Sequence, residues 1–95
     1  MIHARSDYNR IQDPATDDPS LLSEGSTPIG EEEPVFLLRA QDRHFVPMLQ
    51  HYLEIVATQD LREDEKALEI IKVLRPHLRR AIAWQTRNGC KTPDL

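Results

Sequence analysis

Glu31-Glu32-Glu33-Pro34-Val35-Phe36-Leu37-Leu38-Arg39-Ala40-Gln41-Asp42 is the stretch whose reading settles the architecture. Three acids stand where the N-terminus of a helix favours negative charge. Pro34 fits a first helical position, where its missing N–H would have no partner anyway. Val35, Leu38, Phe45, Leu49, Tyr52 and Val56 then recur at intervals of three or four, with Asp42 filling the one gap. That is a helical stripe rather than a strand alternation. Phe36, Leu37, Met48, Leu53 and Ile55 widen the apolar arc. The pattern predicts a helix over 34–59. Pro47 removes the hydrogen bond to the Arg43 carbonyl, so a kink or break is predicted near Arg43 to Val46.

Toward the C-terminus, residues 60–63 read as a turn, with Asp60 as N-cap. A second long helix is predicted from about Leu61 or Asp64 to Asn88. Its stripe is Leu68, Ile71, Leu74 or Arg75, Leu78 and Ile82, and Ile70, Val73, His77 and Trp84 form a second, neighbouring stripe. Pro76 should bend it, and Asn88-Gly89 should end it, with glycine near the C′ position. Two long helices and a short turn make an antiparallel hairpin. The fold class expected is therefore all-α. Each helix buries one face in such a pair, so the second stripe lacks a partner within one chain and predicts self-association.

Toward the N-terminus the composition changes. Pro14, Pro19, Pro28 and Pro34, four of the seven prolines, lie at or before residue 34, with two of the three glycines. Asp13-Pro14-Ala15-Thr16-Asp17-Asp18-Pro19-Ser20 and Ser23-Glu24-Gly25-Ser26-Thr27-Pro28 are turn-forming and poor in apolar side chains. Residues 1–33 therefore read as an arm that does not order itself alone. One short helical turn is expected around Asp7 to Gln12, capped by Ser6 or Asp7. Residues 34–95 form the helical hairpin, and the 95 residues make a single domain.

Composition narrows the function. Twelve Lys and Arg against sixteen Asp and Glu leave a net charge of −4. That argues against a protein that coats DNA or RNA, which requires a basic field. It leaves room for a small anion held by local cations. One cysteine, Cys90, excludes an internal disulfide, and no Cys/His zinc spacing is present. No apolar run approaches the roughly 20 residues of a membrane span. The N-terminus lacks a signal-peptide core, so the chain is expected in the cytoplasm. His44 and His51 are seven apart, with Glu54 three further on, a weak metal pattern. No G-x-S-x-G elbow or glycine-rich phosphate loop exists. The chain does not read as an enzyme, and no cofactor is expected.

Two groups of residues suit an anionic ligand. Arg75, Arg79 and Arg80 bring three cations into six residues, although pairs such as Glu69 with Lys72 mark much of this helix as a solvated face. Asp7-Tyr8-Asn9-Arg10 brings a ring, an amide and a guanidinium into a segment with little apolar reason to be ordered. Tyr8 offers a face for stacking a base, or an anchor that holds the arm on the helix pair. Asn9 offers a donor and an acceptor to a base edge. Arg10 offers a pair for phosphate.

Three blocks carry a resemblance to a known family: Ser6-Asp7-Tyr8-Asn9-Arg10-Ile11-Gln12, Glu33-Pro34-Val35-Phe36-Leu37-Leu38-Arg39-Ala40-Gln41-Asp42, and Trp84 with Lys91-Thr92-Pro93-Asp94-Leu95. Together they resemble the phage anti-CBASS cyclic-oligonucleotide sponges, whose helical hairpin is shared with some anti-Thoeris sponges. The resemblance covers most of the chain apart from the loop from Pro14 to Glu24. It implies a short N-terminal helix plus two long antiparallel helices, assembled as a hexamer, a trimer of dimers. It implies binding of cyclic dinucleotides, and in some members cyclic trinucleotides, without cleavage, in the cytoplasm of an infected bacterium. It places ligand-binding residues at Tyr8 and Asn9, with Thr27 before the first long helix and Lys66 early in the second. The family's lysine before the first long helix has no counterpart, since no lysine precedes Lys66; Arg10 or a second subunit's arginine would take its place. Two other functions suit the same pattern. One is a sponge for a cyclic ADP-ribose isomer. The other is a protein-binding adaptor that uses the surplus apolar face.

Overall fold

The computed structural model describes residues 1–60 and 65–92. The chain forms two compact units, Met1–Leu37 and a second that begins at Leu38. The all-α expectation is overturned. The chain is 55% helical, with one helix of about 15 residues and one of about 24, a short parallel strand pair and 3-10 turns.

The first unit closes on itself through its backbone. Strand β1 (Ile2–His3) pairs in parallel with β2 (Pro34–Val35), with Ile2 opposite Pro34 and His3 opposite Val35. The Ile2 N–H donates to the Glu33 carbonyl at 2.8 Å and the Ala4 N–H to the Val35 carbonyl at 3.3 Å. The Met1 amino group donates to the Gly30 and Glu31 carbonyls, both at 2.7 Å. Pro34 thus opens a strand, not a helix. A proline drives the residue before it toward extended backbone, and a strand end tolerates a missing N–H. The three glutamates precede no helix. The predicted helix over 34–59 loses its first eleven residues for this reason.

The arm is also more ordered than its composition suggests. Three single 3-10 turns occupy it, at Ser6–Tyr8, Pro14–Thr16 and Pro19–Leu21. Asp13 and Asp18 each cap the proline that follows, accepting from the N–H of Ala15 and Ser20. The second carboxylate oxygen of Asp13 accepts from the Ile29 N–H at 2.8 Å and ties the two ends of the loop together. Arg5 is the residue before the first turn. It makes no side-chain cap bond, and neither Ser6 nor Asp7 is the cap.

The second unit contains α1 (Phe45–Ile55), which continues as a π-turn over Val56–Asp60, and α2 (Glu65–Asn88). The Asp42 carboxylate accepts from the His44 N–H at 2.7 Å and the Asp42 carbonyl from the Phe45 N–H at 3.0 Å, which starts α1. Pro47 lies in the first turn, where helix donors have no acceptor. It therefore marks a start, and the kink predicted between Arg43 and Val46 is replaced by the helix N-terminus. Of the turn predicted over 60–63, Asp60 belongs instead to the π-turn that ends α1, and residues 61–63, the helix start at Leu61 or Asp64 and the Asp60 side chain lie outside what is described.

Val56, Ala67 and Ile71 form the core of the helix pair, with Leu53 and Ile70 packed against it. Phe45 meets His77 edge-on at 6.3 Å between ring centroids. The start of α1 therefore faces the middle of α2. The inner stripe of α2 is Ala67, Ile71, Leu74, Leu78 and Ala81, and Leu68 and Ile82 are exposed. Alanines, rather than leucine and isoleucine, are the buried residues at the ends of that stripe. Tyr52, placed on the α1 stripe by spacing, is exposed as well. Of the second stripe, Val73 is 67% exposed, whereas Ile70 and Trp84 are half-buried. Helix α2 runs through Pro76 and stops at Gly89, whose φ of +77° suits glycine and whose N–H donates to the Gln85 carbonyl at 2.7 Å.

Candidate functional site

The candidate site stands on the 3-10 turn Ser6–Tyr8 and the two residues after it. Tyr8 is only 4% exposed. The Arg5 guanidinium carbon lies 4.8 Å from the Tyr8 ring centroid and that of Arg10 lies 5.5 Å from it. Two cations thus share one aromatic quadrupole. Spacing explains the arrangement. The Tyr8 N–H donates to the Arg5 carbonyl at 3.1 Å, which closes the turn three residues on and brings Arg5 beside Tyr8. His3 meets the same ring edge-on at 6.4 Å.

Asp7 positions both cations. Its carboxylate takes a forked pair of hydrogen bonds from Arg5, Nε at 3.1 Å and Nη2 at 2.8 Å. Its backbone carbonyl accepts from Arg10 Nη1. The Arg5–Asp7 pair cancels, so the local charge is about that of Arg10 alone, and Arg10 is exposed. Beneath the turn, His3 Nε2–H donates to the Ile11 carbonyl at 2.6 Å, while its buried Nδ1 has no partner among the described residues. A carbonyl only accepts, so Nε2 carries a proton.

Tyr8, Asn9 and Arg10 are brought together on one turn. Tyr8 does not present a free face for a base, because guanidinium groups occupy it. Its ring is packed among Arg5, Arg10 and His3 of its own unit. Asn9 is exposed, and its carboxamide makes no hydrogen bond among the described residues. Thr27 is exposed in an irregular stretch of the same unit, and Lys66 is exposed on the first turn of α2 in the other unit. Arg5 and Asp7 were missed by sequence reasoning. Their signal was the three-residue interval between Arg5 and Tyr8 in a segment already read as one helical turn.

A cleft of about 310 Å³ in the same unit is lined by residues that include Asp13, Asp17, Glu31 and Thr16. Hydrogen bonds from the Ile29 and Ala15 N–H groups hold the Asp13 carboxyl below the usual aspartate range. Three carboxylates repel an anion, so this cleft does not suit one. On the helices, His51 Nδ1 lies 3.8 Å from Glu54, and Lys72 lies 3.6 Å from Glu69 as an exposed pair. Among the described residues no three His, Cys, Asp or Glu side chains group to hold a metal, and no helix is long and apolar enough to cross a membrane.

The chain matches no protein-family model, no curated protein and no solved structure.

Proposed function

We propose that this protein is a phage-borne sponge that binds a cyclic oligonucleotide second messenger in the host cytoplasm, a cyclic dinucleotide first, and withholds it from a CBASS effector without cleaving it. The observation that supports this reading is the Arg5–Tyr8–Arg10 stack. In a unit whose net charge is negative, it gathers cations on a rigid ring and leaves Arg10 exposed. Tyr8 here acts as the support on which guanidinium groups are held, in place of the base-stacking role the resemblance implies. Arg10 takes the part of the missing arm lysine as the phosphate contact, and Asn9 reads a base edge. A guanidinium pre-set against a ring loses less freedom on meeting phosphate than a free lysine does.

Sequestration requires affinity rather than turnover. Nanomolar binding corresponds to about −12 kcal/mol, more than one exposed turn supplies, so several copies of the chain would enclose the ligand. Exposed Met48, Tyr52, Leu68, Val73 and Ile82 on the helices support a homo-oligomer, a hexamer in this reading. Isothermal titration with 3′,3′-cGAMP and cyclic tri-adenylate tests the proposal. Saturable heat with at least one, and ligand recovered intact, is expected. Arg10→Ala should weaken binding by about 2 kcal/mol, the usual range for a charged hydrogen bond. No heat with any cyclic nucleotide removes the reading. Light scattering that reports a single chain, with Val73 available to a protein partner, would favour the adaptor instead.

A further inference from the structure

Charge is divided unevenly along the chain. Met1–Leu37 carries Arg5 and Arg10 against eight Asp and Glu, a net charge of −6. Between Ile70 and Thr92 the chain carries Lys72, Arg75, Arg79, Arg80, Arg87 and Lys91 and not one Asp or Glu. On α2, Leu68, Lys72, Arg75, Arg79 and Ile82 follow one another at intervals of four, three, four and three, so they share one face. All five are exposed. Lys72 lies 3.6 Å from Glu69, and the Arg75 and Arg79 guanidinium groups make no ion pair or hydrogen bond among the described residues. In the first unit, Glu31 and Glu32 are exposed, and their carboxylates make none there either. Phe36, just beyond them, is 58% exposed, and Leu37 is 38% exposed. The stripe is fixed in advance, because the end of α2 is clamped to the segment before α1. The Lys91 N–H donates to the Gln41 carbonyl at 2.7 Å, and the Arg43 N–H to the Lys91 carbonyl at 2.9 Å. Gln85 Nε2 reaches the Ala40 carbonyl at 2.8 Å and the Asp42 carbonyl at 3.3 Å.

We propose that the Lys72–Arg75–Arg79 stripe is a docking face for a second copy of this chain, which seats its Glu31-Glu32-Glu33 run against the cations and its Phe36 and Leu37 against the apolar ends of the stripe. The inference rests on the homo-oligomer read above and names its contact. Two such stripes do not face each other, since like charges would meet. The contact is therefore heterologous: each copy offers an acidic edge and receives one on its helix. A contact of that kind repeats from copy to copy until it closes into a ring. Lys72 and Arg79 lie about 10 Å apart along the axis at 1.5 Å per residue, within reach of three consecutive glutamates and their side chains. Opposite charge sets the orientation and the encounter rate, and the apolar ends supply the burial. The acidic unit also decides against a polyanion such as DNA, because it travels on the same chain and repels phosphate.

Sedimentation velocity on the full chain, over a range of protein concentrations, tests this. The wild type should exceed the mass of one chain, and its association should weaken as salt rises. Arg75→Glu with Arg79→Glu, and separately Glu31→Lys with Glu32→Lys, should each weaken association about tenfold per reversed charge. Circular dichroism checks folding, and Arg75→Gln with Arg79→Gln is the milder form, with the same direction expected. An equal mixture of the two reversed variants should associate again, because each then meets the opposite charge. A wild type of one-chain mass at every concentration overturns the contact together with the homo-oligomer. An assembly indifferent to both reversals, or a mixture that stays apart, overturns the contact alone. A stripe that holds a short DNA duplex in preference to a second copy overturns it as well.

Discussion

Met1–Leu37 and the helix pair reach order by different routes. In the first, Tyr8 and Ala15 are the buried apolar residues, and the buried polar one is His3. Order there comes from strand pairing, aspartate caps and the Asp13 link to Ile29. In the second, Val56, Ala67 and Ile71 are packed at helical spacing, and salt bridges such as Glu69–Lys72 are exposed. The lesson is about where sensitivity resides. The first unit concentrates its stability in a few irreplaceable groups, whereas the second spreads it along a stripe.

Four measurements sharpen or break that contrast. Tyr8→Ala removes the central ring of the first unit and should cost about 3 kcal/mol, the scale of aromatic truncation in a core. Tyr8→Leu keeps most of the bulk but loses the quadrupole, and should retain the fold while loosening Arg5 and Arg10. Chemical denaturation followed by the backbone amide NMR signals of residues 1–37 reads both. Ile71→Ala should cost about 2 kcal/mol. It should act on far-UV helical signal and leave the amide NMR signals of the first unit. Equal loss of both signals would mean that the two units do not melt separately.

Proline replacement comes next. Pro76→Ala restores a donor to the Lys72 carbonyl inside α2 and should raise the helical midpoint, by up to ~3 kcal/mol. Pro47→Ala should change little, because that position lies in the first turn, where the proline carries no such penalty. Comparable gains from both would contradict the start of α1 at Phe45. The smallest effect is that of pH. Asp13 has a folded-state pKa below its unfolded value, so its contribution is complete above the usual aspartate range. It is lost as pH falls through the lower folded value. Asp13→Asn should flatten the acid side of the first unit's stability profile, measured by thermal melts across acidic pH, without altering the helix pair's.

Those same differences explain what was legible. Helix α2 and its stop at Asn88-Gly89 follow from periodicity and from a glycine at positive φ. The α1 stripe was legible from Phe45 onward. Pro34 to Leu38 was not, because four apolar residues in a row fit a helix arc and a buried strand equally well. Only the pairing of Pro34–Val35 with Ile2–His3, thirty-two residues away in register, decides between them. The arm misled for another reason. Asp13-Pro14 and Asp18-Pro19 read as generic turn residues, yet each is a specific cap on a 3-10 turn, and order through backbone bonds leaves no trace in hydrophobicity. At the candidate site, the grouping of Tyr8, Asn9 and Arg10 was visible. The burial of Tyr8 was not, since it depends on His3 and on the three-residue reach of Arg5.

The return of the chain from Lys91 to Gln41 bears on the order of assembly. Gln85 reaches the Ala40 carbonyl across 45 residues of chain, and such a contact forms only after the intervening segment has collapsed. During synthesis, Met1–Leu37 can zip up while the ribosome is still extending the helices. The clamp at the end of α2, by contrast, comes into being last, once residues through Lys91 have emerged.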